Sequence, residues 1–176
     1  MSIFISLGSN IEPEVNVPRA VSLLSGRARV TGVSTLYWNP AEGPSGQASF
    51  VNGIIRVECR ENPRDLKFAV LRPIESALGR RRTEDRFAPR TIDLDLILYD
   101  DLVLDAPDLT LPDPQIFVRP HLAFPLCELE PDLRLPGSVL TIQDVVAGLS
   151  RRGLRPLADL TRLLKETYDG RRYPTH

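Results

Sequence analysis

The stretch Thr91-Ile92-Asp93-Leu94-Asp95-Leu96-Ile97-Leu98-Tyr99 limits the architecture of this chain more than any other. Side chains of a β-strand point alternately to opposite faces, so Ile92, Leu94, Leu96 and Leu98 share one face and require a core beneath it. Asp93 and Asp95 then share the other face, about 7 Å apart along the strand. Like charges so placed repel unless a cation lies between them. Hard carboxylate oxygens suit Mg²⁺, which takes one or two of them together with phosphate oxygens and water. The competing reading of an isolated Asp-x-Asp is a solvated outer face.

The residues just before the acids favour the first reading. Arg80, Arg81, Arg82, Arg86 and Arg90 lie in the loop that leads into the strand. Guanidinium offers a planar fork of donors matched to phosphate oxygens and keeps its charge at any relevant pH. Carboxylates that recruit Mg²⁺ beside arginines that grip phosphates are the requirements of metal-assisted phosphoryl transfer. The chain contains neither G-x-x-x-x-G-K-[ST] nor G-x-G-x-x-G, and Gly8-Ser9-Asn10 is too short a turn to cradle phosphates alone. His121 and His176 are the only histidines, which leaves a hydrolytic triad unsupported.

Around this strand the pattern predicts a β-run from Ser2 to Leu7 and a helix capped by Asn16, with Pro18 in its first turn, ending at Gly26. A strand is expected over Arg27–Trp38, then a Gly/Pro-rich loop, then a long strand from Phe50 to Cys59. Asn62-Pro63-Arg64-Asp65 reads as a helix start. That helix should run to Leu78, with a kink or tight turn at Pro73, where a lost hydrogen bond costs about 3 kcal/mol. Pro-punctuated segments follow, with short helices near Ile142–Leu149 and Leu157–Tyr168. The order strand, helix, strand, strand, helix, strand is the split β-α-β arrangement of ferredoxin-like folds: an α+β chain with an antiparallel sheet and helices on one face.

With 176 residues and net charge −1, one compact domain is expected: a core over about 2–150, a C-terminal helical extension over 151–168 and a polar tail over 169–176. The charge argues against general nucleic-acid binding. The start of the chain reads as no targeting segment and no apolar run is long enough to span a membrane, so a cytoplasmic protein is expected. Cys59 and Cys127 read as buried free thiols rather than a disulfide or metal framework.

FAPRTIDLDLILY resembles the signature of the 6-hydroxymethyl-7,8-dihydropterin pyrophosphokinase family. IFISLGSNI, YWNPAEGP, FVNGIIRVE, IESALGRRR and VRPHLAFPLCELEPDL follow in family order, and the likeness extends from about Ser2 to Leu149. The resemblance implies a ferredoxin-like βαββαβ core and transfer of the β,γ-pyrophosphoryl unit of ATP to the pterin hydroxymethyl oxygen, releasing AMP. It implies that Asp93 and Asp95 hold two Mg²⁺ ions and that Arg80, Arg82 and Arg90 serve catalysis. Asn39, Ala41, Phe50, Asn52, Arg119 and His121 would meet the pterin. Glu75, Arg80, Arg90, Leu96, Thr110 and Asp113 would line the ATP side. Small-molecule partners and a monomer are implied.

The chain departs from the family pattern at Leu111-Pro112-Asp113, where an acid replaces a histidine, and at Val118-Arg119-Pro120-His121, where histidine replaces a phenylalanine that stacks on the pterin. A basic residue common in the mobile loop is Thr83 here. His121 still offers a flat π face. Two alternatives stand beside the main reading. One is a paralogue with weak activity or shifted specificity. The other is a non-catalytic module binding RNA, disfavoured because the strands lack paired aromatics.

Overall fold

A computed structural model describes residues 2–40, 48–81 and 88–168. Three long strands carry the fold: β1 (Ile3–Ser9), β4 (Phe50–Glu58) and β5 (Asp93–Tyr99). β1 lies between the other two and pairs antiparallel with both. β2 (Arg29–Val33) and β3 (Tyr37–Asn39) pair with successive halves of β4, and the two-residue β8 (Arg155–Pro156) adds to the free edge of β3. The chain is thus α+β with an antiparallel sheet.

The strand expected over Arg27–Trp38 is interrupted at Ser34-Thr35-Leu36. Its backbone groups find other partners there, as buried amides must. Glu128 Oε2 accepts the Thr35 N–H at 2.9 Å, and Thr161 Oγ1 accepts the Leu36 N–H at 2.9 Å. Leu36 also packs over Gly53, where a Cβ would stand only 2.4 Å from Leu36 Cδ2. A larger residue at that crossing would have to displace the buried Leu36 side chain.

Helix α1 spans Pro13–Ser25 and begins before the expected cap. Pro13 supplies the first-turn proline, following Glu12 at φ 42°, while Asn16 turns its buried side chain back to donate to the Ile11 carbonyl at 2.7 Å. The Asn62 cap forms as expected, accepting the Asp65 N–H at 3.0 Å. Beyond α2 (Pro63–Asp65) the helix widens into a π-helical segment, Leu66–Leu71, before α3 (Arg72–Ala77). Pro73 is therefore accommodated by a wider turn, not a tight one: the Arg72 N–H bonds to the Lys67 carbonyl, five residues back.

A β-bulge shifts the β1–β5 register, so that Phe4 opposes Leu98 while Ile5 opposes Leu96. Leu98 therefore leaves the face shared by Leu94 and Leu96 and joins Ile97 on the opposite one. The expectation of helices on one face is corrected as well. α1, the π-helical segment, α3 and α6 (Ala158–Tyr168) cover one core with Ile3, Ile5, Leu7, Leu94 and Leu96. α4 (Pro120–Leu129) and α5 (Ile142–Ala147) cover a second core with Phe4, Ile54, Ile97 and Leu98.

Prolines at both the start and the interior of α4 hide it from a reading by pattern. The hairpin of β6 (Leu104–Ala106) and β7 (Leu109–Leu111) is too short to declare itself. α6 contributes Leu160, Leu164 and Tyr168 to the first core, so it does more than cap an edge. Cys59 and Cys127 are half-buried rather than fully buried. Among the described residues no helix is long and apolar enough to cross a membrane.

Candidate active site

α4 and α5 cover only part of their face of the sheet. At the other end of the same strands lies a cleft of about 290 Å³, walled by Ser6 and Gly8 of β1, Phe50 and Asn52 of β4, and Asp93 and Asp95 of β5. Arg90, Asp113, Gln115 and His121 complete its rim. Gly8 opposes Asn52 on one side and Asp93 on the other. These three positions form a row across three strands, so Asn52 and Asp93 stand about 10 Å apart. A Cβ on Gly8 would approach Asn52 Nδ2 to 3.0 Å, so the glycine keeps the floor between them low.

The turn after β1 anchors the arginine side. Ser9 Oγ donates to the Thr91 carbonyl at 2.6 Å, Asn10 Oδ1 accepts the Arg90 N–H at 2.7 Å, and the Asn10 N–H donates to the Arg90 carbonyl at 3.0 Å. Gly8-Ser9-Asn10 thus fixes the backbone from which Arg90 projects. Arg90 Nη1 lies 2.5 Å from Asp93 Oδ2, and its guanidinium is 5.9 Å from the centre of the Phe50 ring. Arg80 Nη2 approaches the other oxygen of Asp93 at 3.7 Å. The buried Nε of Arg80 has no hydrogen-bond partner among the described residues.

Asp95 is held differently. Its carboxyl is pushed up to about 6, first by burial in the concave wall and then by the charge of Asp93, against the pull of Arg72 and Lys67. Arg72 Nη2 stands 3.6 Å from Asp95 Oδ1, while its Nη1 donates to Glu75 Oε2 at 2.8 Å. Glu75, pushed up to about 7 chiefly by burial, accepts the Leu94 N–H at 2.8 Å between the two aspartates. Asp113 is also raised by burial, and its Oδ1 accepts the Gln115 N–H at 2.8 Å at the head of the turn Pro114–Phe117.

The donor set fits a small hard dication: two carboxylates share one strand face in a polar cleft, and burial and mutual repulsion disfavour the ionised form of Asp95. Among the described residues no cluster of three or more His, Cys, Asp or Glu side chains could hold a metal. The remaining ligands would therefore have to come from substrate oxygens and water.

The fold brings together most residues singled out in the sequence. Phe50, Asn52, Arg90, Asp93, Asp95, Asp113 and His121 line the one cleft. Asn39 reaches it through Asn52 Oδ1 at 3.4 Å and His121 Nδ1 at 3.1 Å. Other residues stand apart. Glu75 is buried against the backbone of β5, and Leu96 belongs to the opposite core. Thr110 points outward from β7. Arg119 Nε donates to Gln115 Oε1 at 2.9 Å, at the cleft's margin. Ala41 and Arg82 lie outside the described residues. Sequence reasoning missed Gly8 and Arg72. The signal for Arg72 was its spacing of three from Glu75 on a helix.

Comparison with known proteins bears on this cleft. The family model described as 7,8-dihydro-6-hydroxymethylpterin-pyrophosphokinase (HPPK) matches residues 4–131. The 2-amino-4-hydroxy-6-hydroxymethyldihydropteridine pyrophosphokinase of Pseudomonas aeruginosa is 38% identical over 137 residues, covering 76% of this chain and 83% of its own. The enzyme of the same name from Synechocystis is 36% identical over 160 residues, covering 88% and 79%. A crystal structure of Plasmodium falciparum HPPK-DHPS shares the fold at a TM-score of 0.66 and 11% identity, over 88% of this chain. The chain spans about half (47%) of that solved chain.

Proposed function

The chain belongs to the 7,8-dihydro-6-hydroxymethylpterin-pyrophosphokinase family, and from that premise we propose how its cleft divides the work. The enzyme transfers pyrophosphate from ATP to 6-hydroxymethyl-7,8-dihydropterin, a step of folate synthesis. Asn39, Phe50, Asn52 and His121 form the pterin end, with Arg119 at its margin; the family resemblance adds Ala41, outside the described residues. Arg80, Arg90, Asp93 and Asp95 form the phosphate end; the family resemblance adds Arg82, outside the described residues. Asp113 borders the nucleotide. Leu96 and Thr110, whose side chains turn away, offer backbone groups only. Glu75 acts from beneath, by holding the backbone of β5.

The observation that carries this reading is the row Asn52–Gly8–Asp93 across one cleft floor. It sets a ring-binding amide and a phosphate-handling acid about 10 Å apart. Asp93 and Asp95 would hold two Mg²⁺ ions, whose chemistry is to neutralise phosphate charge as pyrophosphate changes partners. The chain's own contribution is positioning. No side chain of the cleft is an obvious general base for the hydroxymethyl group, so alignment of that oxygen with the β-phosphorus carries the rate. As the new oxygen–phosphorus bond forms, the hydroxymethyl oxygen releases its proton to solvent, the bond from the β-phosphorus to the bridging oxygen breaks and AMP leaves. Arg90 and Arg80, already aimed at Asp93, stabilise the charge that develops there.

The strand order supports a ferredoxin-like core, and the two cores sharing one sheet support reading residues 2–168 as one catalytic unit. We infer a cytoplasmic monomer. The test is AMP release from ATP, Mg²⁺ and the hydroxymethyl dihydropterin. Asp95→Ala should abolish it while the circular dichroism spectrum is retained; near-full activity in that variant would remove the metal assignment.

A further inference from the structure

The family match ends at residue 131, yet Arg151, beyond it, touches β3 and α4, two elements that carry side chains of the site. α4 packs on β4 beside β3, and side chains of β3 reach across to α4. On β3, Tyr37 and Asn39 are two residues apart and share a face. On α4, His121, Phe124 and Glu128 follow at spacings of three and four and share a stripe. The stripes meet at two places. In the cleft, Asn39 Nδ2 lies 3.1 Å from His121 Nδ1. Two helical turns along, about 10 Å, the Tyr37 hydroxyl donates to Glu128 Oε1, whose other oxygen accepts the Thr35 N–H at 2.9 Å.

Arg151 closes this second contact. Its Nη2 donates to Tyr37 Oη at 2.6 Å and lies 3.4 Å from Glu128 Oε1. Its guanidinium stands 4.8 Å from the centre of the Phe124 ring and 5.7 Å from that of Tyr37. Burial and the Glu128 carboxylate hold the Tyr37 hydroxyl above its ordinary value, so it stays a donor. The Arg151 side chain is 56% exposed, and an ion pair at such a place contributes little by itself. Its leverage comes from gripping strand and helix together while β8 pairs with the same strand a few residues on.

We propose that Arg151 is a positioning residue for the pterin: with Tyr37, Phe124 and Glu128 it clamps β3 to α4 and so fixes how Asn39 and His121 are placed at the pterin end of the cleft. The proposal rests on the assignment of that end of the cleft to the pterin. The clamp holds Asn39 against His121, at 3.1 Å, at the pterin end of the cleft, and leaves the aspartates of β5 untouched. A planar guanidinium can lie against the Phe124 ring while its Nη2 meets both Tyr37 and Glu128; an ammonium keeps the charge but not the flat face.

The test uses the full chain carrying Arg151→Gln or Arg151→Lys, with AMP release followed against each substrate at saturating levels of the other. Arg151→Gln should raise the KM for the pterin roughly tenfold, the size expected for coupling within one hydrogen-bonded network. Its KM for ATP should stay within about twofold, and Arg151→Lys should recover part of the loss. Faster amide exchange at Tyr37–Asn39 and at the start of α4 should accompany the change. A lower melting temperature with the pterin KM unchanged, or equal rises in both KM values, overturns the clamp. An unmodified protein that releases no AMP with the pterin overturns the functional reading and the clamp with it.

Discussion

One face of one sheet meets two fates in this molecule. Toward one end of β1, β4 and β5, Phe4, Ile54, Ile97 and Leu98 are sealed under α4 and α5. Toward the other end of the same strands and the same face, Gly8, Asn52, Asp93 and Asp95 stand open around the cleft. The helices cover what is apolar and stop where the side chains become polar or vanish. The bulge in β5 marks the boundary, because it turns Ile97 and Leu98 together into the covered end. Stability and chemistry are thereby separated by only a few residues along each strand. The acids keep their places at the open end because an apolar core nearby holds their strand.

That separation can be broken deliberately. The largest effect belongs to the open end: Asp95→Ala should cut AMP release by roughly a thousandfold or more with little change in melting temperature, and a parallel collapse of both would deny the division. At the covered end the pattern reverses. Phe4→Ala should cost about 3–5 kcal/mol, lowering the melting temperature by roughly 10 °C, while kcat measured well below that transition stays near the unmodified value. A smaller effect is expected at the join of the pterin and phosphate ends. Gly8→Ala forces Asn52 to shift, since the added Cβ would stand 3.0 Å from its amide nitrogen. Steady-state kinetics should show a pterin KM raised by roughly tenfold. The smallest concerns the interrupted edge. Thr161→Val leaves the buried Leu36 N–H without its acceptor and should cost about 1 kcal/mol in a urea titration, with activity preserved.

Local chemistry was legible in the sequence, and distant pairing was not. The Asn62 cap depends on residues three apart, and the aspartates share a face because a strand alternates. The departure of Leu98 from its face could not be read, since a bulge is set by register against β1 and leaves no mark on β5 alone. The break at Ser34-Thr35-Leu36 depends on α6, whose Thr161 lies 125 positions along the chain from Leu36. Glu75 was legible as important but not in its role: its burial against Leu94 N–H arises from packing of α3 on β5. For Arg72 the spacing to Glu75 was legible, but its second partner, Asp95, comes from another element and was not.

The most direct test of the account is a crystal structure of the protein with Mg²⁺, a non-hydrolysable ATP analogue and the hydroxymethyl dihydropterin. The account predicts the pterin ring beside Asn52 and His121, the phosphates against Arg90, and metal density in contact with both Asp93 and Asp95. Nucleotide bound elsewhere, or metal held without those two carboxylates, would contradict it.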